Sequence, residues 1–257
     1  MSITTQSVFY YGHQIDETNF SLDFDEGGPE LQASVLIGDY SLEEYAVAIA
    51  NAMNVIGGQV YTVTVDRSTR ILTISAPGNF SLLPVTGSRI GTTTFGLAGF
   101  TSDKTGSNSY GGDSSSGSEY RPQTVFRKYT PFEDNENAIS SSVQEATSGI
   151  IETLSFGTRQ IMECEIWGIS DLATTSNSVV EQNLTGRQDA RDFMSFARSK
   201  SKMEFMEDRS LANVFHKILL EKTPEGRDGT SFKFKKMFGL GHAPYYTTGN
   251  LQFRKVI

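Results

Sequence analysis

The sequence predicts a mainly β fold of the α+β class, built as two β-rich domains that each carry one principal helix. Three observations carry that expectation. Short runs alternating apolar and polar side chains recur along the chain, the pattern of strands with one buried face. Only two stretches, residues 41–56 and 186–198, repeat apolar side chains at the three-to-four spacing of a helix. Between them a Ser/Gly-rich run, residues 102–122, separates a compartment of residues 1–101 from one of residues 123–257. With 257 residues, each compartment is long enough to bury a core of its own.

In the first compartment, "TQSVFYYG" (5–12) and "NFSLDFDEGGPELQASVLIG" (19–38) read as strands, with "DEGGPE" as a turn. Ser41 and Glu44 hold the S-x-x-E spacing that opens a helix, since hydroxyl and carboxylate can each take a free first-turn amide. Leu42, Tyr45, Ala46, Ile49, Met53 and Ile56 then form one apolar stripe along it. Gly57 and Gly58 are expected to stop it with a left-handed residue. A hairpin over residues 59–74 follows, alternating Thr with β-branched and aromatic residues around "DRST". "NFSLLP" (79–84) is expected as a separate strand, and "TTTFGLAGF" (92–100) as an apolar turn that plugs the core. Residues 102–122 hold no apolar side chain beyond Tyr110 and Tyr120, too little burial to offset ordering entropy, so a linker or long exposed loop is predicted.

In the second compartment "QTVFRKYT", "AISSSVQEAT", "GIIETLSFG" and "RQIMECEIWGISD" read as four strands. Thr185 and Gln188 repeat the capping spacing, and Ala190, Phe193, Met194 and Ala197 continue it as the second helix. "KMEFME", "NVFHKILLEK", "SFKFKKM" and "YYTTGNLQFRKVI" supply further strands, with "TPEGRDG" (223–229) as a hairpin turn. No fixed-period repeat is present.

A composition of 37% hydrophobic and 20% charged residues, with only 7 Pro, is that of a folded chain rather than a disordered or fibrous one. One cysteine, Cys164, rules out an internal disulfide and a thiolate metal cage within one copy. The opening residues lack a basic segment followed by an apolar run, and no apolar stretch is long enough to span a bilayer, so no leader and no membrane partner are expected. A net charge of −8 argues against a general nucleic-acid binder. That charge is unevenly spread: Thr185–Ile257 has 14 Lys+Arg against 8 Asp+Glu, and Met1–Leu184 has 8 against 22. Either the last third shows basic solvated strand faces, or copies dock acidic surface against basic surface.

Catalytic vocabulary is thin, and no catalytic, cofactor-binding or metal-binding residue is assigned. "GSRIGTTT" puts Thr where a phosphate-binding loop needs Lys, and "GLGHAPYY" lacks the third glycine of a dinucleotide turn. His13, His216 and His242 lack metal-ligand spacing, and "MECEIW" places Cys164 on the apolar face of a strand rather than beside a base. "DFDEGGPE" (23–30) departs from the calcium-loop pattern and reads as a solvated acidic turn. Asn19, Asn79 and Asn183 head N-x-[ST] triplets that mean little without a secretory leader. Tyr10, Tyr11, Tyr110, Tyr120, Tyr245 and Tyr246 could serve a carbohydrate site, or equally core and interface packing.

Residues 38–113, from "GDYSLEEYAVAIANAMNVIGGQVYTVTVDRSTRILTI" through "NFSLLP" to "GTTTFGLAGFTSDKTGSNSYGGD", resemble a module of tailed-bacteriophage virion proteins. The order of elements from Gln123 to Ile257 is similar to the tail-tube-like β-sandwich of phage tail and baseplate proteins, including the distal tail protein. The resemblance implies a non-enzymatic subunit of a tail or baseplate, linking tube to tip in a virion assembled in the host cytoplasm. It implies self-association as a hexameric ring, other tail or baseplate proteins as partners, and transient passage of DNA. The alternatives are a neck, tail-completion or tail-tube subunit, or a host-surface glycan-binding module.

Overall fold

Antiparallel strand pairing organises the protein, as the alternating pattern requires, and the fold is mainly β with two α-helices among the described residues. The computed structural model describes residues 7–122 without a break and, beyond them, 124–126, 135–138, 141–145, 151–155, 158–167, 169–170, 187–199, 201–206, 215–222, 234–236 and 245–256. In chain order the first elements are β1 (Val8–Tyr11), β2 (His13–Ile15), β3 (Ser21–Asp25), β4 (Leu31–Ser34), β5 (Gly38–Tyr40), α1 (Leu42–Ile56), β6 (Thr62–Asp66), β7 (Ile71–Leu82), β8 (Lys104–Gly111) and β9 (Glu119–Tyr120). They are followed by β10 (Thr124–Phe126), β11 (Asn135–Ala138), β12 (Ser141–Glu145), β13 (Ile151–Ser155), β14 (Thr158–Trp167), β15 (Ile169–Ser170) and α2 (Arg187–Arg198). The chain closes with β16 (Met203–Met206), β17 (Phe215–Lys222), β18 (Lys235–Lys236), β19 (Tyr245–Thr247) and β20 (Asn250–Lys255).

The chain divides into two compact units, and the division departs from a simple cut at residues 102–122. One unit holds residues 9–119 together with 201–215; the other holds residues 1–8, 120–200 and 216–257. The predicted second domain is therefore discontinuous: β16 returns to the N-terminal unit, where it pairs with β1 and sets the Phe205 ring against Phe9, tilted by 40° at 4.7 Å. Four consecutive buried residues, Met203–Met206, explain the return, since a strand covered on both faces needs a core on each side.

In the N-terminal unit a five-stranded sheet runs β4-β3-β7-β6, with β8 on β7. Leu22, Phe24, Leu72, Ile74, Phe80 and Leu82 pack in its core with Leu42, Tyr45, Ala46, Ile49 and Met53 of α1. The Ser/Gly-rich run is not a linker. β8 lies within it, in register with β7 through Ile74↔Tyr110 and Phe80↔Ser107. A single aromatic anchors it: the Tyr110 ring meets Phe80 edge-on at 5.0 Å, and its hydroxyl donates to the Phe80 carbonyl at 2.8 Å. Ladder hydrogen bonds along a long neighbouring strand replace the apolar burial that the composition lacks. The runs expected as separate strands at 70–74 and 79–84 are one strand, β7, bent by register shifts against β8.

Two further expectations need correction. Gly57 does not end α1 in the left-handed region; it is extended at φ −74° and ψ 156°. The helix closes through the Gly57 N–H, which donates to the Met53 carbonyl at 2.8 Å, and the Glu26 carboxylate holds the turn that follows by accepting from the Gly58 and Gln59 N–H groups at 3.0 and 3.1 Å. Among the described residues the one non-glycine in the left-handed region is Arg70, at φ 57°, closing the β6–β7 turn. In the apolar plug Thr94, Phe95, Ala98 and Phe100 are fully buried, and Gly99, at φ 89°, passes so close to the Ser114 carbonyl that a side chain would collide with it.

In the other unit β14 is central, pairing with β10 and β11 along its length and with β20, which in turn pairs with β17. Met162, Cys164 and Ile166 are buried and alternate with Glu163 and Glu165, the period of a sheet with one wet face. Across the ladder Met162 opposes Phe253 and Cys164 opposes Leu251. α2 buries Ala190, Phe193, Met194 and Ala197, and Phe193 stacks on Tyr120 at 4.6 Å. β15, β19 and β18 form a separate three-stranded sheet, and β12 pairs with β13. No helix among the described residues is long and apolar enough to cross a membrane.

Candidate functional site

α1 has two apolar faces. Its inner face buries Leu42, Tyr45, Ala46, Ile49 and Met53 in the core, following the predicted stripe up to its last member. Ile56, expected on that stripe, points outward and is 46% exposed. It joins Val47 and Val55, 57% and 80% exposed, on a face that a surface helix ordinarily fills with polar residues. Beside them the segment before β5 leaves Leu36 and Ile37 at 80% and 62% exposure. The Tyr40 hydroxyl donates to the Leu36 carbonyl at 2.8 Å and holds that segment in shape.

Leu36, Tyr40, Val47, Val55 and Ile56, though not Ile37, line a groove of about 700 Å³ between α1 and β4, floored by Ala48 and Ala52 and edged by Gln32, Ser34, Glu43 and Glu44. β4 is the outermost strand of its sheet among the described residues, with β3 as its neighbour. The groove therefore sets an open strand edge beside an apolar helix wall. An exposed edge of this kind is a template for an added strand.

Ion pairs fix the acidic rim. Glu44 accepts from the Ser41 N–H at 2.8 Å and from the Lys202 ammonium at 2.6 Å. Partial burial pushes the Glu44 carboxyl up, but Lys202 and the Ser41 donors outweigh it and hold the pKa at about 2. Lys202 also donates its backbone N–H to Asp39 at 2.6 Å; there burial dominates and raises the carboxyl. Glu43 pairs with Arg67. Arg67 and Arg70 both reach one oxygen of the buried Glu204 at 2.9 Å, tying β16 to the β6–β7 turn. Arg70 lies over the Tyr10 ring at 4.1 Å and Arg67 over Phe215 at 3.7 Å. The backbone strain at Arg70 is thus held in place by what its side chain binds.

The structure also brings together a histidine and a serine that the sequence keeps 103 residues apart: His13 Nε2 lies 2.8 Å from Ser116 Oγ. This pair is a structural knot rather than a nucleophile and its base. Ser116 donates onward to the Leu97 carbonyl at 3.0 Å, so His13 Nε2–H is the donor between them, leaving Nδ1 without a partner. The imidazole stacks on Tyr45 at 4.3 Å and is 1% exposed. Burial, then the neighbouring Arg70, lowers its pKa to about 3. A base that weak takes no proton from a hydroxyl near neutral pH.

Other residues weighed from the sequence are placed as follows. Cys164 is buried on the apolar face of β14, and His216 is half-buried in β17; His242 and Asn183 lie outside the described residues. Asn19 is half-buried and bonded to Asp16 and Gln14, while Asn79 is exposed on β7. The carboxylates of residues 23–30 are engaged by protein donors: Asp23 by Arg89, Asp25 by Gly27, Glu26 by the end of α1 and Glu30 by Ser88. Tyr10, Tyr110 and Tyr120 are buried in packing rather than displayed as a sugar platform. No group of three or more His, Cys, Asp or Glu suited to a metal ion occurs among the described residues.

The groove itself was missed from sequence. Its signal was present in Val47 and Val55, eight residues apart on the side of α1 away from the main stripe, and in Leu36-Ile37 just upstream. Comparison of the chain with protein-family models and with curated proteins finds no match.

Proposed function

We propose that the chain is a structural ring subunit of a tailed-bacteriophage tail or baseplate, linking the tail tube to the tail tip and working by assembly rather than catalysis. The observation that carries this reading is the open groove along α1. Its wall is apolar, its carboxylates are locked in ion pairs, and it lies beside an edge of β4 that no described strand pairs. Surfaces of that kind bind protein. The virion setting rests on the resemblance of residues 38–113 to the phage module and on the mainly β architecture. An excess of acidic side chains suits a subunit past which DNA moves without adhering, since adhesion needs phosphate-neutralising cations.

A host-surface glycan-binding role fits less well. The groove volume is in the small-ligand range, but its wall is aliphatic, with Tyr40 as its one aromatic ring. Electron micrographs of particles labelled with an antibody to this chain separate the readings. Label at the distal end of the tail is expected. Label at the neck favours the neck or tail-completion alternative, and particles without label overturn the reading.

A further inference from the structure

We propose that α1 forms the contact of an isologous pair: the outer ridge of α1 in one copy of the chain lies antiparallel in the α1 groove of a second copy, with Asn51 on the two-fold axis. The contact goes beyond the ring reading and does not rest on it, since a two-fold can stand alone or be added to a ring.

The pattern along the helix calls for another helix. Val47, Asn51 and Val55 stand four residues apart and form one ridge, with Ala48, Ala52 and Ile56 in the row beside it. Two such rows are what one helix presents to another, ridge into groove. Ala48 and Ala52 on the floor are small enough to admit the ridge.

Charge narrows the occupant. Glu43 and Glu44 are already paired with Arg67 and Lys202, and the last turn of α1, Met53–Ile56, has no charged side chain. A charged occupant would lose its water there and gain no partner, which excludes the back of α2 with its Asp189, Arg191 and Asp192. Among the described residues eight large apolar side chains are exposed, and five of them, Leu36, Ile37, Val47, Val55 and Ile56, lie on or beside the groove. The uncharged helical face that the chain offers to this groove is therefore α1 itself.

Orientation and register follow from the same residues. Antiparallel packing opposes the two helix dipoles. It also parts the rims: the seven residues from Glu44 to Asn51 span about 10 Å, so the rims of the two copies stand roughly 20 Å apart, two Debye lengths at about 0.1 M salt. At the far end of the helix Glu26 is engaged by the Gly58 and Gln59 N–H groups and the Tyr61 hydroxyl. The exposed Asn51 side chain has no hydrogen-bond partner among the described residues. A carboxamide holds both donor and acceptor, so two of them across a dyad satisfy each other, and a lone Asn in an apolar helix seam fixes register. Val47 of each copy then faces Val55 of the other.

The contact is at the small end of the range that holds proteins together, where association follows concentration, so disulfide trapping in the full chain is the test. Asn51→Cys, oxidised with glutathione, is expected to give a linked dimer on a non-reducing gel. The wild type is the blank, its Cys164 being 2% exposed. Val47→Cys alone and Val55→Cys alone should not link, because like positions lie roughly 12 Å apart along the helices, beyond the about 7 Å that a disulfide bridges. Mixed together, the two should link. Adding V47E/V55E to Asn51→Cys should abolish its link in protein folded by circular dichroism, and the mixing experiment keeps the test decisive if that variant misfolds. An unlinked Asn51→Cys, a Val47→Cys that links with itself more readily than with Val55→Cys, or a link that survives V47E/V55E each overturns the proposal. The ring reading is untouched by these outcomes, since it is judged by the label on particles.

Discussion

The two helices bury the same kind of inner face and present opposite outer ones. α2 covers its core with Ala190, Phe193, Met194 and Ala197 and turns Asp189, Arg191, Asp192 and Ser195 to solvent. α1 covers its core with Leu42, Tyr45, Ile49 and Met53, yet exposes Val47, Val55 and Ile56. α2 is what folding alone requires: one apolar stripe and a solvated back. The back of α1 exceeds that requirement, and the difference marks it as the candidate docking surface of the N-terminal unit, where Glu43 and Glu44 are already paired with Arg67 and Lys202.

The comparison breaks first at the inner faces, which should behave alike. Phe193→Ala is expected to cost about 3–5 kcal/mol and Ile49→Ala about 2–5 kcal/mol, both residues being fully buried. Denaturant unfolding measures both; a cost below 1 kcal/mol at either site would mean that its helix is not packed as described.

Acid should act under α1 through His13. Its folded pKa, about 3, lies below the ordinary 6.5, so as pH falls the unfolded chain takes up the proton first. Its contribution is complete above pH 6.5 and falls by about 1.4 kcal/mol per pH unit until the folded pKa is reached. Glu44, held at about 2 against its ordinary 4.5, adds a loss only at lower pH, as its carboxylate is protonated. His13→Gln should therefore flatten the stability profile between pH 6.5 and 4.5, and an unchanged slope there would remove His13 from the account.

Smaller effects sharpen the contrast. Tyr45→Phe removes the hydroxyl that donates to the Thr94 carbonyl at 2.9 Å and should cost about 1–2 kcal/mol in thermal or chemical unfolding. Val55→Asn should change folding stability by no more than about 0.5 kcal/mol while weakening self-association. Arg191→Val, which gives α2 an apolar back, should be as neutral for folding and should leave self-association intact.

Sequence reading recovered what local pattern encodes. The capping pair Ser41 and Glu44, the stripe from Leu42 to Met53, and the alternation of Thr62–Asp66 with Ile71–Ser75 each describe one element, and each element formed there. What depends on a distant partner was not legible. β8 looks like linker because its stability comes from β7, and β16 looks like part of the second domain because nothing local records that it pairs with β1. The His13–Ser116 knot and the Arg67–Arg70–Glu204 clasp join residues more than one hundred positions apart. Ile56 fitted the helical period and still faces outward, 46% exposed as the last residue of α1.

Light scattering of the purified wild-type chain over a range of concentrations tests the central claim most directly. The account predicts a mass rising to a defined multiple of the 28.3 kDa protomer, about six for a ring. A constant 28.3 kDa at every concentration, at both low and high salt, would contradict it.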